Sequence, residues 1–194
     1  MQQNQLNDRN RIKEIKIWRG VNMENCVYII SGPPGVGKSS VSEELAYTFD
    51  KSAVIEGDSI YLMIKSGLVA PWEDDGYYMD LFWDNVISIT NNLLARDMTV
   101  IINYVLFEDQ IKKMEDFLKT KQIKLKYCVL LAEEQTLKDR DSSRKEIERT
   151  GELSITSRNE FLSRNMNKNH LLYTDHLDIK ETVNRIKSSD KFFV

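Results

Sequence analysis

Eight residues between Gly32 and Ser39 carry the clearest chemical signal in the sequence. They read Gly-Pro-Pro-Gly-Val-Gly-Lys-Ser and match the pattern G-x-x-x-x-G-K-[ST]. Glycines at these positions let successive backbone N–H groups point inward around phosphate oxygens, and a helix starting there favours negative charge. In such a loop Lys38 reaches the β- and γ-phosphates, and the Ser39 hydroxyl binds Mg²⁺. The predicted nucleotide-binding residues of the loop are Gly32, Gly35, Val36, Gly37, Lys38, Ser39 and Ser40.

The segments on either side of this loop have the composition that it requires. Residues 26–31 form an apolar run rich in β-forming side chains, which predicts a strand that ends at the loop. After the loop, apolar residues recur at helical spacing, so one face of a helix can pack on that strand. These residues are Val41, Leu45, Ala46 and Phe49. Strand, loop and helix therefore predict a nucleoside triphosphate site rather than a fortuitous glycine-rich turn.

A carboxylate after the second predicted strand is the first candidate for chemistry on the phosphate. Residues 52–58 predict a short strand that ends at Asp58. Ligands of doubly wound sheets bind beyond the carboxyl ends of the strands, where Asp58 could accept a proton from an attacking hydroxyl or hold Mg²⁺. Glu56 shares its face and is a weaker candidate. Alternatively, Asp58 is a turn residue or the N-cap of the next helix.

Two arginines in a charged segment are the second candidate. Arg140 and Arg144 are four residues apart in a predicted helix, 133–149, and so would share one face. Phosphoryl transfer needs cations near the transferring oxygens, which favours a functional role in a lid over the nucleotide. The alternative is a solvated helix with ion pairs, because acidic residues flank both arginines. Arg149 and Arg158 are predicted to border the same lid.

Aromatic and acidic residues between the second and third predicted strands suggest a pocket for a second substrate. Trp72 lies in the irregular sequence Pro-Trp-Glu-Asp-Asp and is placed to meet a ligand, whereas the spacing of Trp83 favours the core. Asn103 interrupts an apolar strand, and its buried amide needs partners, either substrate or a neighbouring loop. The predicted substrate-binding residues are Asp58, Trp72 and Asn103.

The rest of the chain alternates between strand and helix patterns. Further strands are predicted at residues 98–106, 123–132 and 171–174. Further helices are predicted at 77–97 and 108–119, and two more begin at capping-box patterns near Ser157 and Asp178. Gly151 is predicted to be the C-cap of helix 133–149. This alternation predicts a parallel sheet with helices on both faces.

Composition limits the classes of protein that the chain can belong to. The 194 residues have a net charge of −3 and 41% hydrophobic residues, which is typical of one globular domain and does not suggest a duplex nucleic-acid partner. No apolar run reaches the length of a membrane span, and no signal peptide is recognisable. Cys26 and Cys128 lie in predicted strands and are expected to be buried thiols of a cytoplasmic protein. With no Cys/His cluster at metal spacing, the expected metal is Mg²⁺ carried by the nucleotide.

The expected domain organisation is simple. Residues 1–22 are polar and are predicted to be a poorly ordered N-terminal extension, and 23–194 form a single domain. Within that domain, 59–97 is the predicted acceptor-binding segment and 134–165 the lid region. A monomer or a homodimer is expected.

Residues 24–187 resemble the P-loop small-molecule kinases of the adenylate kinase-like branch, which includes gluconate and nucleotide kinases, chloramphenicol phosphotransferase and zeta-toxin kinases. The resemblance depends on the phosphate-binding loop, Ile55-Glu-Gly-Asp58, the loop at Trp72, the arginine pair and Thr174-Asp-His-Leu177. It implies a three-layer P-loop NTPase fold with a five-stranded parallel sheet in the order 2-3-1-4-5 and a helical lid. It also implies that ATP and Mg²⁺ are cofactors, that Asp58 is the acceptor-side base, that Arg140 stacks on adenine and that Arg144 contacts the phosphates.

The sequence departs from this pattern in two places. The third strand carries Asn103 rather than an acidic pair, so Mg²⁺ would depend on Ser39 and Asp58. Lys65 is the only cation between Asp58 and Arg96, which disfavours an acceptor that carries a phosphate group.

The predicted function is an ATP-dependent phosphotransferase that acts on a hydroxyl of a small molecule such as a sugar acid, nucleoside or antibiotic-like acceptor. The catalytic residues would be Lys38, Asp58 and Arg144. One alternative is a P-loop NTPase with a regulatory or mechanical role; the guanine-binding sequence Asn-Lys-x-Asp is missing, since Asn167-Lys-Asn-His170 lacks the aspartate. The other is a nucleotide or polynucleotide kinase, which the lack of a basic groove disfavours.

Overall fold

The computed structural model describes residues 26–71 and 73–194, and within them a single parallel sheet forms the centre of the molecule. The five strands are β1 Cys26–Ser31, β2 Ser52–Glu56, β3 Thr99–Asn103, β4 Lys124–Leu131 and β5 Leu171–Tyr173. Their order is β2-β3-β1-β4-β5, and every neighbouring pair is parallel. The predicted sheet order is therefore confirmed. The predictions for residues 1–22 and for Trp72 lie outside the described residues.

Helices connect the strands and cover both faces of the sheet. The α-helices are α1 Lys38–Tyr47, α2 Gly57–Tyr61, α3 Tyr77–Leu94, α4 Lys112–Thr120, α5 Glu134–Ser142, α6 Glu152–Ser163 and α7 Ile179–Ser188. Short 3₁₀ turns occur at Glu108–Ile111, Glu146–Glu148, Lys168–His170 and Asp190–Phe192. Because each strand has side chains on two faces, two cores form. One lies beneath α3, α4 and α6, the other beneath α1, α5 and α7.

The apolar patterns of the sequence predict these cores correctly. Val41 and Leu45 of α1 are buried against the strands, and Phe82, Trp83 and Val86 of α3 are buried on the opposite face. The core position predicted for Trp83 is confirmed. Cys26 and Cys128 are buried in β1 and β4, as expected from their strand positions.

The ends of β2 and β3 differ from the predictions. Strand β2 stops at Glu56, and Asp58 belongs to the one-turn helix α2 rather than to the strand. Gly57 turns the chain there and packs so closely against Tyr104 that an added Cβ would lie 2.5 Å from the Tyr104 side chain. Strand β3 ends at Asn103, three residues before its predicted end, so Asn103 is its last residue rather than an interruption.

The predicted helix 133–149 is wrong in its second half. Helix α5 ends at Ser142, and a second helix, α6, begins at Glu152 instead of near Ser157. The carboxylate of Asp141 explains the break, because it accepts hydrogen bonds from the backbone N–H groups of Thr150 (2.8 Å) and Gly151 (2.9 Å). These bonds fold the chain back after α5. Gly151 is therefore the residue before α6 and not the C-cap of α5.

Elsewhere the helix predictions differ only at their ends. Helix α3 stops at Leu94 instead of residue 97, and the segment predicted at 108–119 begins as a 3₁₀ turn before α4. The capping box at Asp178 is confirmed, since its carboxylate accepts from the N–H of Glu181 at 2.7 Å while the Glu181 side chain accepts from the N–H of Asp178. None of the helices in the described part of the chain has the length and apolar character of a membrane-spanning segment.

Candidate active site

The loop between β1 and α1 has the backbone conformation of a phosphate cradle. Gly32 and Gly37 have φ values of 132° and 107°, which side chains other than glycine rarely adopt. At Gly32 the neighbouring strand is also very close, because an added Cβ would lie 2.2 Å from the Leu130 carbonyl oxygen. Helix α1 begins at Lys38, directly after the loop, so its N-terminal dipole faces the cradle. The loop and helix thus offer backbone N–H groups and positive charge to an anion.

Lys38 lies across the cradle in the ligand-free chain. Its Nζ donates to the carbonyl oxygens of Gly32 (2.9 Å) and Pro33 (3.0 Å). Removal from water lowers the pKa of Lys38 from 10.5 to about 8, an effect that the nearby charge of Arg144 increases and those of Asp58 and Glu56 oppose. The charges of all three side chains therefore act on the Lys38 ammonium.

Asn103 connects the cradle to the end of β2. Its Nδ2 donates to the hydroxyl of Ser39 at 3.0 Å and to Oε2 of Glu56 at 2.6 Å, which accounts for both hydrogens of the amide. Since Asn103 is only 4% exposed, it is held in this bridge by its surroundings. Of the two partners considered from the sequence, substrate or a neighbouring segment of the chain, the structure shows the second.

Glu56 is a stronger candidate for a role in the site than its sequence pattern indicates. The side chain is exposed at the edge of the sheet, yet protein atoms displace enough water from its carboxylate to raise its pKa, while the hydrogen bond from Asn103 works in the opposite direction. The sequence feature that points to Glu56 is Asn103, a polar residue in a buried strand. The pairing of β2 with β3 sets Glu56 directly opposite Asn103. That register becomes visible only when the sheet order is known.

Asp58 lies two residues beyond the end of β2. It is the second residue of α2 and is exposed to solvent. Because β1 and β2 run parallel in the sheet, Asp58 lies at the same edge of the sheet as the cradle. The predicted role at the carboxyl edge is compatible with this position, although the element that carries Asp58 is a helix.

Arg140 is fixed at the side of the cradle. Its guanidinium donates to the Val36 carbonyl at 2.9 Å, to Oγ1 of Thr174 at 3.0 Å and to the Thr174 carbonyl at 2.8 Å. These bonds join α5 to the phosphate-binding loop and to the residue after β5. Because these hydrogen bonds use the edge of the guanidinium, its planar face stays suited to stacking on an aromatic ring.

Arg144 lies beyond the C-terminus of α5, so it does not share a continuous helical face with Arg140 as predicted. Its charge still acts on Lys38, which places it near the cradle. The same turn brings Thr150 against the loop, where a Cβ added to Gly35 would lie 3.5 Å from Oγ1 of Thr150. The break after α5 therefore brings the predicted lid over the phosphate-binding loop.

The other two arginines of this region have structural partners. Arg149 donates to the carbonyls of Arg144 (3.3 Å) and Ser142 (3.0 Å), where it closes the turn after α5. Arg158 is 8% exposed, donates to the Ala132 carbonyl at 2.6 Å and pairs with Glu133 at 3.0 Å. Both arginines thus bind protein groups, and their place at the border of a lid stays a prediction.

The segment between β2 and α3 folds back on itself next to the cradle. The hydroxyl of Tyr61 donates to the Val69 carbonyl at 3.0 Å, and that of Tyr78 donates to the Gly67 carbonyl at 2.5 Å. Asp74 caps α3 by accepting from the N–H groups of Tyr78 (3.1 Å) and Met79 (2.9 Å). The acidic cluster of the sequence thus contributes partly to the start of α3.

The oxygens around the cradle suit Mg²⁺. The hydroxyl of Ser39 and the carboxylate of Glu56 share one amide donor, and hard oxygen ligands of this kind are those that Mg²⁺ prefers when phosphates supply the remainder. Within residues 26–71 and 73–194, no group of three or more His, Cys, Asp or Glu side chains could hold a metal ion by itself. Ser39 and Glu56 are the residues that would hold Mg²⁺ together with a nucleotide.

Solved structures share this arrangement of sheet and loop across most of the chain. A tunicamycin resistance protein from Deinococcus radiodurans matches with a TM-score of 0.61 at 15% identity, over 86% of this chain and 95% of that protein. A gluconokinase from Sinorhizobium meliloti matches with a TM-score of 0.59 at 18% identity, over 84% and 89%. The APS kinase of Mycobacterium tuberculosis, in complex with AMPPNP and APS, matches with a TM-score of 0.57 at 15% identity, over 84% and 96%.

The chain has the fold of the P-loop kinases. The resemblance stated from the sequence is thereby confirmed at the level of the fold. No protein-family model matches the chain, and no curated protein matches its sequence.

Proposed function

We propose that this P-loop protein is a kinase that transfers the γ-phosphate of ATP to a hydroxyl group of a small acceptor. The observation that carries the proposal is the geometry of the cradle: Lys38 lies across the loop on the Gly32 and Pro33 carbonyls, and Asn103 joins the Ser39 hydroxyl to the carboxylate of Glu56 beside it. Phosphoryl transfer depends on cations that neutralise the transferring oxygens and on a carboxylate that accepts the proton of the acceptor. Small-molecule kinases among the structures of the same fold support the same reading.

The proposed chemistry divides the site between donor and acceptor. The loop and Lys38 bind the β- and γ-phosphates, Arg140 stacks on the adenine, and Arg144 neutralises the transferring phosphoryl group. The acceptor oxygen attacks the γ-phosphorus, its proton passes to Asp58, and ADP leaves. When bound, Mg²⁺ would supply charge neutralisation at the phosphate oxygens, with Ser39 and Glu56 as its protein ligands.

Measurement of ADP release with and without a library of hydroxylated compounds tests the proposal. A kinase is expected to release almost no ADP until one compound accelerates the release. That compound itself gains a phosphate group, which mass spectrometry detects. Steady hydrolysis that no compound accelerates would instead favour the NTPase alternative. Phosphorylation of an oligonucleotide 5′-hydroxyl, and of no small molecule, would favour the polynucleotide kinase.

Two substitutions separate the donor from the acceptor side of the site. Lys38→Ala is expected to abolish ATP turnover, because Lys38 is the only cation of the loop Gly32–Ser39. Asp58→Asn is expected to lower kcat by about 10²- to 10⁴-fold while ATP still binds, since it removes only the proton acceptor. Glu56→Gln serves as the matched comparison, and we expect it to raise the Mg²⁺ concentration required rather than to abolish transfer. Unchanged kcat in Asp58→Asn would remove Asp58 as the base.

A further inference from the structure

The part of the chain between β2 and β3 has a strong excess of negative charge. Residues 57–97 contain seven acidic residues and two basic ones, Lys65 and Arg96. This segment follows Glu56 at the carboxyl edge of the sheet, next to the phosphate-binding loop, and is the acceptor half of the proposed site. An acceptor that binds there meets this field before it reaches the γ-phosphate.

Both cations of the segment are directed to backbone carbonyls. The Nζ of Lys65 donates to the Leu62 carbonyl at 2.8 Å, at the C-terminus of α2. Arg96 donates to the Asn92 carbonyl at 2.7 Å, at the end of α3. Helix α3 returns the chain to the start of the parallel strand β3, so Arg96 lies at the opposite edge of the sheet from the cradle. Arg96 is therefore remote from an acceptor at the cradle, and Lys65 is the one cation of the segment on the side of α2.

The acidic residues of the segment differ in their partners. Lys113 binds Asp80 at 3.1 Å and Asp84 at 3.0 Å, which offsets the negative charge on the outer face of α3. Asp74 caps α3, as described above. Asp58 lies on the other side, exposed and close enough to act on Lys38. Asp58 is consequently the carboxylate of the segment that would face the acceptor hydroxyl in the proposed site.

Large apolar side chains are exposed in the same segment. We define the apolar rim as Leu62, Met63, Leu68 and Tyr77. These residues are 51%, 54%, 39% and 70% exposed, respectively. Leu62 follows Asp58 by four residues across the turn of α2, where the N–H of Leu62 donates to the Asp58 carbonyl at 2.8 Å. Residues at this spacing share a helical face, so the rim begins beside the proposed base.

Two tyrosines keep the remainder of the apolar rim close to α2. Tyr61 holds Val69, the neighbour of Leu68, and Tyr78 holds Gly67 and packs edge-on against Tyr77 with 5.2 Å between ring centroids. Exposed apolar side chains that gather beside a polar group are typical of ligand sites, in which apolar surface supplies affinity and a few polar groups set orientation.

We infer that the acceptor of this site, given the proposed phosphotransferase function, is a hydroxylated molecule that has no anionic group and has an apolar portion. The apolar portion lies on the apolar rim and a hydroxyl lies at Asp58. A carboxylate or phosphate in the acceptor would meet an excess of carboxylates, because Lys65 is the only cation between Asp58 and Arg96 and because Lys38 and Arg144 are assigned to the phosphates of ATP. A neutral or cationic acceptor avoids this cost.

Matched acceptors test the inference. D-gluconate, gluconamide and N-butylgluconamide keep one polyol and change only its charge and its apolar tail, and adenosine, its 5′-monophosphate and an N6-alkyl adenosine form a second set. In at least one set, we expect the uncharged alkylated member to have a kcat/KM at least tenfold above that of its anionic counterpart. Preference for the anionic member overturns the inference. So does phosphorylation of none of these compounds by a protein that phosphorylates another hydroxylated compound; steady ATP hydrolysis with no phosphorylated acceptor would contradict the proposed function instead.

A charge placed on the apolar rim gives a second, independent test. Met63→Arg is expected to shift the ratio of kcat/KM between uncharged and anionic members by roughly five- to tenfold towards the anionic one, because it adds a cation to the apolar rim beside the acidic residues. Tyr47→Arg is the control: it adds the same charge to another exposed residue, at the far end of α1, and should leave the ratio unchanged. If Met63→Arg has a much lower melting temperature than the unmodified protein, Leu68→Arg replaces it in the test. An equal ratio in a folded rim variant and in the control overturns the assignment of the rim.

Discussion

At the scale of single residues, Lys38 is placed to bind phosphate. Its ammonium donates to two loop carbonyls and is partly removed from water, so its charged form is less stable than in solution. A triphosphate in the cradle would supply strong negative charge at the same position. The charge of Lys38 is therefore coupled to nucleotide binding.

The first prediction concerns pH. Because the pKa of Lys38 is about 8 in the ligand-free chain, the side chain is charged at pH 7 and largely neutral at pH 9. ATP stabilises the charged form, so binding at pH 9 should take up about one proton while binding at pH 7 takes up few, and affinity should fall as pH rises through 8. Calorimetry in two buffers of different ionisation enthalpy measures the uptake. Lys38→Arg, whose side chain stays charged, should show no such proton uptake. Equal uptake in both proteins would contradict the assignment of the proton to Lys38.

Asn103 shows how a neutral residue can organise charged ones. A carboxylate at this position would repel Glu56, to which it is paired in the sheet, whereas the amide donates to both Glu56 and Ser39. The acidic group beside the Ser39 hydroxyl is therefore contributed by β2 and not by β3. Glu56 is thus a further candidate ligand for Mg²⁺, and the set Ser39 and Asp58 expected from the sequence stays a prediction.

At the scale of elements, the junction between β2 and α2 positions both candidate carboxylates. Glu56 ends the strand, Gly57 turns the chain, and Asp58 begins the exposed face of the helix. The turn is possible because Gly57 has no side chain where Tyr104 packs against it, and Tyr104 in turn stacks on Phe82 at 4.8 Å between ring centroids. The core under α3 thus determines where the acidic residues lie.

The second prediction tests this junction. Gly57→Ala would place a methyl group 2.5 Å from the Tyr104 side chain, so the strand end or the ring must move. We expect the free energy of unfolding to fall by about 1–3 kcal/mol and phosphotransfer to fall more than tenfold, with ATP affinity less affected. Urea denaturation and steady-state kinetics measure the two effects. Ser59→Ala in the same helix is the control, and equal behaviour of the two variants would show that the close contact does not position the site.

The junction between α5 and α6 has the corresponding role on the donor side. Asp141 accepts from the N–H groups of Thr150 and Gly151, and these hydrogen bonds hold the pKa of its carboxyl below the usual range. The stabilisation that this carboxylate contributes is present above its unfolded pKa and is lost as pH falls through the lower folded value. In this way one side chain brings Thr150 and the start of α6 against the phosphate-binding loop.

At the scale of the whole molecule, the candidate site and the contact that holds the last α-helix lie at opposite edges of the sheet. The site uses the carboxyl ends of the strands, whereas Lys126, near the start of β4, ties the last helix to the sheet. Its Nζ donates to the carbonyls of Ile186 (3.1 Å), Lys187 (2.7 Å) and Ser189 (3.0 Å) at the end of α7, and the residue is only 4% exposed. A cation here satisfies the carbonyls that a helix leaves without partners.

The third prediction follows from this tie. Lys126→Met should lower the free energy of unfolding by about 2 kcal/mol or more, because the carbonyls at the end of α7 lose a buried donor. KM values of the folded protein should hardly change, since the residue is remote from the cradle. Urea denaturation and kinetics at low temperature measure both. Lys138→Met, an exposed lysine of α5, is the control, and equal stability of the two variants would contradict a structural role for Lys126.

The sequence by itself determined the features that depend on local spacing. The glycine pattern predicts the cradle because the backbone conformation needed for phosphate is encoded by adjacent residues. Alternation of apolar strands with amphipathic helices predicts the parallel sheet, and the resemblance supplies its order, both of which the structure confirms. Val41, Leu45 and Trp83 are buried as their helical spacing predicts.

Only the tertiary structure decided which polar residues meet. The bridge from Ser39 through Asn103 to Glu56 joins residues up to 64 positions apart, and its register is set by strand pairing that no local pattern contains. The break after α5 likewise depends on Asp141, whose partners lie nine and ten residues further along the chain. A helical pattern cannot reveal such a break, because the charged residues that follow are equally suited to a continuing helix. The donor loop is thus a local property of the chain, whereas its carboxylates and its lid are products of packing.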